Sequence, residues 1–235
     1  MLTLIVFIPL IAAFALLFVA KDNRELIRMV SVSAAGLSFL LSLGLLWAFD
    51  KTNPGMQFEW AVAWVPLLNI QFHVGVDGIS LLLLVLTTFL SAIAILYSLK
   101  QEKGLRNFLA LMLALEAGTL GVFVALDTIL FYAFWELMLV PTYFLIGLWG
   151  EGRRIYATTK FVLFTLVGSL LMLVAIVGIT VVHFKATGTL TFDIETLVHT
   201  HIDPASQLWM FACFFLAFAI KVPVFPFHTA AVLPR

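Results

Sequence analysis

Seven apolar runs succeed one another along the chain, at 2–20, 27–49, 79–99, 107–126, 128–149, 160–184 and 208–227, and the segments between them gather most of the charged residues. Crossing a hydrocarbon core of about 30 Å takes roughly 20 residues at a rise of 1.5 Å each. The pattern therefore predicts an all-α, polytopic transmembrane bundle of about seven helices. Between the second and third runs the period changes. There Ile70, Phe72, Val74 and Val76 alternate with Asn69, Gln71, His73 and Gly75, which predicts a short strand or hairpin on the outer surface. Asp127, just ahead of the fifth run, is placed to cap a helix N-terminus.

Composition agrees with a membrane chain: 63% of residues are hydrophobic, 11% are charged and the mean hydropathy is +1.13. Soluble domains carry about 25% charged residues. A net charge of zero supplies no basic face for a nucleic acid, so none is expected as a partner. The single cysteine, Cys213, stands inside an apolar run as a small packing residue and can build neither an internal disulfide nor a metal cage. The first run has neither a basic leader nor a small-residue cleavage site, so it is expected to stay as a helix.

Basic residues set the orientation. Lys21, Arg24, Arg28, Lys100, Lys103, Arg106, Arg153, Arg154 and Lys160 fall around the odd-numbered loops, against only Lys51 and Lys185 around the even ones. By the positive-inside rule the odd loops face the cytoplasm, which puts the N-terminus outside.

Three ionisable residues stand where the pattern wants none. Glu136 follows Asp127 by nine residues and Glu116 precedes it by eleven, giving depths of roughly 13 and 16 Å in straight helices. Lys221 lies well inside the last run. A charge at a helix centre costs about 2.5–3.5 kcal/mol on insertion scales, so each needs a purpose. Desolvated acids and amines close together can exchange a proton at small cost, which is the chemistry of a relay. The competing reading is structural: an ion pair, or a protonated acid hydrogen-bonded across helices.

Prolines sharpen the case. Pro223 and Pro226 cannot donate to the carbonyls of Ala219 and Val222, and Pro141 cannot donate to that of Leu137, next to Glu136. Freed backbone at membrane depth is tolerated where protein or water satisfies it, so these positions suggest a broken helix beside a polar cavity. His183, His199 and His201 read as solvated or interfacial, and His228 as a candidate relay member. Trp47, Trp149 and Trp209 read as interfacial anchors, and Tyr132 and Trp135 as packing. No phosphate loop, metal-ligand spacing or nucleophile–base pair is present, so any redox chemistry belongs elsewhere.

The segments "VGVDGISLLLLVLTTFLSAIAILYS", "LEAGTLGVFVALDTILFYAFWELMLVPTYFLIGLWG", "ATTKFVLFTLVGSLLML" and "FAIKVPVFPFHT" resemble the antiporter-like subunit M (chain 4) family of proton-pumping NADH:quinone oxidoreductase, respiratory complex I. The resemblance covers the chain up to Thr229. It implies the first part of an inverted-repeat, antiporter-like fold, in which Glu136 on helix five pairs with Lys221 on a broken helix seven to translocate protons, with Glu116 a further candidate. It implies no cofactor in this chain; NADH, FMN, iron–sulfur clusters and quinone would belong to partner subunits. The implied partners are the other membrane-arm subunits and the lipid bilayer, in the bacterial inner membrane. Residues 1–229 would form the membrane domain and 230–235 a divergent tail, since family members continue with a segment like "HTWLPDAH" and further helices where this chain reads "HTAAVLPR". A complete proton channel is not expected of this chain alone. The alternatives are a cation/proton antiporter subunit and a structural fragment that moves no protons.

Overall fold

The computed structural model describes residues 1–225. Pro226, His228 and the tail at 230–235 lie outside the described residues. The chain divides into two compact units, one of Met1–Trp60 with Val74–Ala125, the other of Ala61–His73 with Leu126–Arg235.

The first unit is a bundle of α1 (Leu2–Phe18), α2 (Arg24–Ala48), α3 (Gly78–Ser98) and α4 (Leu105–Val124). Along α2, Ser31, Ala34, Ala35, Ser38 and Ser42 form a buried seam of small residues. Small side chains let helix backbones approach closely where lipid supplies no hydrophobic drive. Ser42 meets Thr88 of α3 hydroxyl to hydroxyl at 2.8 Å, and Ser38 donates to the Ile5 carbonyl of α1 at 3.4 Å. Leu16, Ile27, Ile95, Leu109 and Leu113 close the apolar centre of this unit. Asp77 opens α3 with a capping box: its carboxylate accepts from the Ser80 N–H, and the Ser80 hydroxyl accepts from the Asp77 N–H.

The predicted hairpin forms as β1 (Gln57–Val65) and β2 (Ile70–Val76), paired in a two-stranded sheet. A short 3-10 turn at Pro66–Leu68 joins them and ends on Asn69 in the left-handed region, φ 52°, a conformation that asparagine tolerates.

The second unit holds α5 (Thr128–Leu137), α6 (Leu139–Trp149), α7 (Arg154–Thr187), the short α8 (Ile194–Val198) and α9 (Pro204–Lys221). The fifth apolar run is therefore two pieces meeting at Met138. Pro141 accounts for the interruption, because it cannot donate to the Leu137 carbonyl. Past the break, Thr142 donates both its backbone N–H, at 3.3 Å, and its hydroxyl, at 2.7 Å, to the Met138 carbonyl. The sixth run proves longer than its apolar centre, at 34 residues, since Arg154 to Thr159 continue the helix beyond the hydrophobic stretch.

Among the described residues six helical segments, counting Thr128–Trp149 as one, are long and apolar enough to cross a membrane, and Leu2–Phe18 adds a shorter apolar helix of 17 residues. Large exposed side chains such as Phe18, Leu40, Leu82, Leu166 and Phe211 suit a lipid-facing surface. The chain is a mostly helical, multi-pass membrane protein.

α7 packs against both α9 and α5. Gly168 makes the α7–α9 approach possible: a Cβ there would lie 3.2 Å from Ile220 Cδ1 and 3.4 Å from the Ala217 Cα. A Gly168→Leu chain should lose about 1–3 kcal/mol of stability through overpacking, read as a lower thermal midpoint in detergent. Val167→Ala, at an exposed neighbour, should leave the midpoint close to that of the parent.

Candidate functional site: a half-buried acid and a lysine at a helix end

Backbone pairing fixes the start of α5. The Leu126 N–H donates to the His73 carbonyl at 2.9 Å, Thr128 N–H to the Phe192 carbonyl at 2.8 Å, and Ile194 N–H to the Leu126 carbonyl at 2.8 Å. Asp127 caps the helix as its position predicts, accepting from the N–H groups of Ile129 at 2.8 Å and Leu130 at 3.1 Å. Its second oxygen accepts from the Gln71 N–H at 3.0 Å, tying the hairpin to the same point. Burial pushes the Asp127 carboxyl up from its ordinary value against these three donors, and the nearby charge of Asp193 adds to the push.

Asp193 completes the strap, with its Oδ1 3.0 Å from His73 Nδ1 and its Oδ2 accepting from the N–H and hydroxyl of Thr196. Burial works to raise this carboxyl, but the hydrogen bonds from Thr196 and His73 outweigh it and hold the group below its ordinary range. Sequence reasoning missed this cluster. His73 and Asp193 are 120 residues apart, and only the alternation around His73 hinted that its side chain had a defined direction.

From this anchored start α5 carries Tyr132, Trp135 and Glu136 inward. Glu136 is half-buried, and its Oε1 is shielded from solvent with no hydrogen-bond partner among the described residues. The Tyr132 hydroxyl interacts with Glu136 and with Ser169 of α7. Lys221, the last residue of α9, interacts electrostatically with Glu136. Among the described residues no direct ion pair joins the two. The ammonium stands over the indole of Trp135 instead, with Nζ 4.9 Å from the ring centroid. Phe218 meets that indole edge-on at 5.5 Å, and Phe131 stacks on it at 5.8 Å.

The end of α9 beside Lys221 has a local solution. Pro223 denies the Ala219 carbonyl its usual donor, but the Val224 N–H takes that carbonyl at 2.9 Å, while Val222 N–H returns to Phe218 at 2.8 Å. The freed Ala219 acceptor expected to open onto a cavity is thus satisfied by the chain itself. The Pro226 and His228 expectations lie outside the described residues.

Glu116 belongs to the first unit, on α4. It is 2% exposed, and neither carboxylate oxygen has a partner among the described residues. Buried polar atoms are rarely left unpaired, so this carboxyl calls for an explanation. Of the three sequence candidates, then, the structure brings Glu136 and Lys221 into one electrostatic neighbourhood and shows Glu116 buried and unpartnered in its own unit. Tyr132 and Trp135, which sequence reading assigned to packing, both face the ionisable pair. No cluster of histidine, cysteine, aspartate or glutamate suited to a metal ion occurs among the described residues.

The fold is shared with membrane proteins of known structure. The family described as NADH:quinone oxidoreductase/Mrp antiporter, TM, matches residues 125–232. A chain of respiratory complex I from Thermus thermophilus with bound NADH superposes with a TM-score of 0.84 at 35% identity, over 98% of this chain and 46% of that one. A chain of the Mrp complex from Dietzia sp. DQ12-45-1b shares the fold, with a TM-score of 0.79 at 22% identity over 99% of this chain and 25% of that one. More specifically, NADH-quinone oxidoreductase subunit M of Pseudomonas aeruginosa is 40% identical over 96% of this chain and 47% of its own length, and that of Escherichia coli K12 is 38% identical over 95% and 46%. The chain is similar to subunit M over most of its own length and spans about half the length of the curated relatives it matches.

The strap has a pH signature. A carboxyl held below its ordinary value of 3.8 stabilises the fold fully above that pH, and the stabilisation is lost as pH falls through the lowered value. Thermal unfolding in detergent should therefore show a midpoint that falls as acidification proceeds below about pH 4. Asp193→Asn should remove that part of the fall and lower the midpoint at neutral pH.

Proposed function

We propose that this chain acts as a proton-translocating membrane-arm subunit of an NADH:quinone oxidoreductase, in which Glu136 and Lys221 exchange a proton within the second unit. The observation that carries the reading is a partly unpartnered carboxylate and a lysine in one electrostatic neighbourhood, beside the helix interruption at Met138 and the end of α9 at Val222. An amine and an acid in a low-dielectric setting have two states of similar energy: the ammonium–carboxylate pair, and the neutral amine with the carboxylic acid. A charge arriving nearby can tip the pair from one state to the other, which is what coupling to a distant redox event demands. Tyr132 and Ser169 offer hydroxyls through which the proton on Glu136 can be held or passed on. Glu116 would serve as a further proton site on α4.

In this reading the chain contributes no redox centre. NADH, FMN, the iron–sulfur clusters and quinone belong to the partner subunits, and the chain's neighbours are other membrane-arm subunits and lipid. Residues 1–229 would belong to the membrane domain, the first part of an inverted-repeat architecture. The positive residues around the odd loops favour a bacterial inner-membrane orientation with the N-terminus outside. The family's inclusion of Mrp antiporters supports a second reading, a cation/proton antiporter subunit acting without NADH. Sodium-dependent growth rescue of an antiporter-deficient host would favour that one.

The test begins with membranes carrying a tagged copy of the chain, resolved in mild detergent on a native gel and stained for NADH oxidation. The tag should comigrate with a large NADH-oxidising band. In the same membranes Glu136→Gln should reduce NADH-driven proton uptake by about tenfold or more, as expected when a proton-transfer group is lost. Uptake equal to that of the parent would overturn the proposal.

A further inference from the structure

Trp135 makes a contact that neither its burial nor its aromatic neighbours require. Its indole is fixed from two sides, by Phe131 stacked at 5.8 Å and by the edge of Phe218 at 5.5 Å, and the Lys221 ammonium stands 4.9 Å from the ring centroid. A cation within about 6 Å of an indole face is attracted by the ring quadrupole, more strongly once water is excluded. Trp135 is buried, and Phe218 lies three residues before Lys221 on the same helix, so the helix that delivers the lysine also braces the ring that receives it. Glu136, the next residue along α5, also interacts electrostatically with this ammonium without pairing with it directly.

We propose that Trp135 is a positioning residue, a seat on which the protonated amine of Lys221 rests apart from the Glu136 carboxylate. An indole face stabilises a cation but has no lone pair to take its proton. A lysine parked there stays an ammonium, whereas one moved to Glu136 can hand over its proton, leaving a neutral amine and a carboxylic acid. The two seats compete for one flexible side chain, and their difference in free energy sets how often transfer is possible. The purpose of the seat rests on the proton-exchange reading above; its geometry does not.

The test is carried out on the full chain in lipid nanodiscs, made with 13C-labelled lysine, with the Lys221 ε-methylene resonance assigned by its loss in Lys221→Arg. An ammonium over an indole places the ε-protons in the shielding cone, so this resonance should lie upfield of those of the solvent-exposed lysines. Trp135→Leu should abolish the upfield shift, and Trp135→Phe should keep a smaller one. Glu136→Gln, by removing the competing seat, should move the resonance further upfield. Phe218→Leu, which leaves the indole in place, should preserve most of the shift. An unchanged resonance in Trp135→Leu, or no upfield movement in Glu136→Gln, would overturn the proposal. Should Trp135→Leu fail to fold, the Trp135→Phe and Glu136→Gln shifts decide between the same outcomes. Proton uptake is not part of this readout. Unchanged uptake in Glu136→Gln alongside the expected shifts would reject the proton-exchange function and leave the seat standing.

Discussion

A lysine and a glutamate brought into the same apolar interior constrain everything packed around them. Each costs a few kcal/mol to place at membrane depth, and the cost is tolerable only if polar or aromatic groups stand at fixed positions nearby. In this chain Tyr132, Trp135 and Ser169 are those groups, and they come from α5 and α7, while the lysine comes from the end of α9. The three helices must therefore hold their registers to within a fraction of a turn. Gly168 on α7 lets α9 approach, and the strap of Asp127, Asp193 and His73 pins the start of α5. Close packing and terminal anchoring thus serve the placement of two charges.

The helix interruptions belong to the same logic. An unbroken helix satisfies its own backbone and offers little to a titrating side chain. The interruption at Met138 and the end of α9 at Val222 lie two residues from Glu136 and one residue from Lys221, respectively. Satisfaction is restored locally by Thr142 and by the Val224 N–H, so the backbone stays paired where the helix path changes. Beside the Met138 interruption a side-chain oxygen, Glu136 Oε1, has no hydrogen-bond partner among the described residues.

Much of the helical layout was legible because lipid demands long apolar runs. The first four predicted segments match α1 to α4 within a few residues, and Asp127 was recognisable as a cap from its position alone. The split of the fifth run was foreshadowed by Pro141, although periodicity treats Leu137, Met138 and Leu139 as continuous apolar sequence. Helix α8 escaped notice, since five residues cannot display a helical period. Glu136, Lys221 and Glu116 stood out because ionisable groups are expensive in such surroundings. Trp135 did not, because an aromatic among phenylalanines and leucines carries no local signal. Its contact with Lys221 joins residues far apart in the chain and depends on how α5 and α9 are rotated. The His73–Asp193 contact was hidden for the same reason.

The central claim is that Glu136 and Lys221 feel each other inside the fold, and a double-mutant cycle on thermal unfolding tests it most directly. Glu136→Gln, Lys221→Met and the double variant would be unfolded in one detergent at one pH. The account predicts that the double variant loses less stability than the two single losses combined, with an interaction energy of about 0.5–3 kcal/mol, typical of residues in one electrostatic network. Single losses that add to within about 0.5 kcal/mol would contradict it and reduce the two residues to independent buried charges.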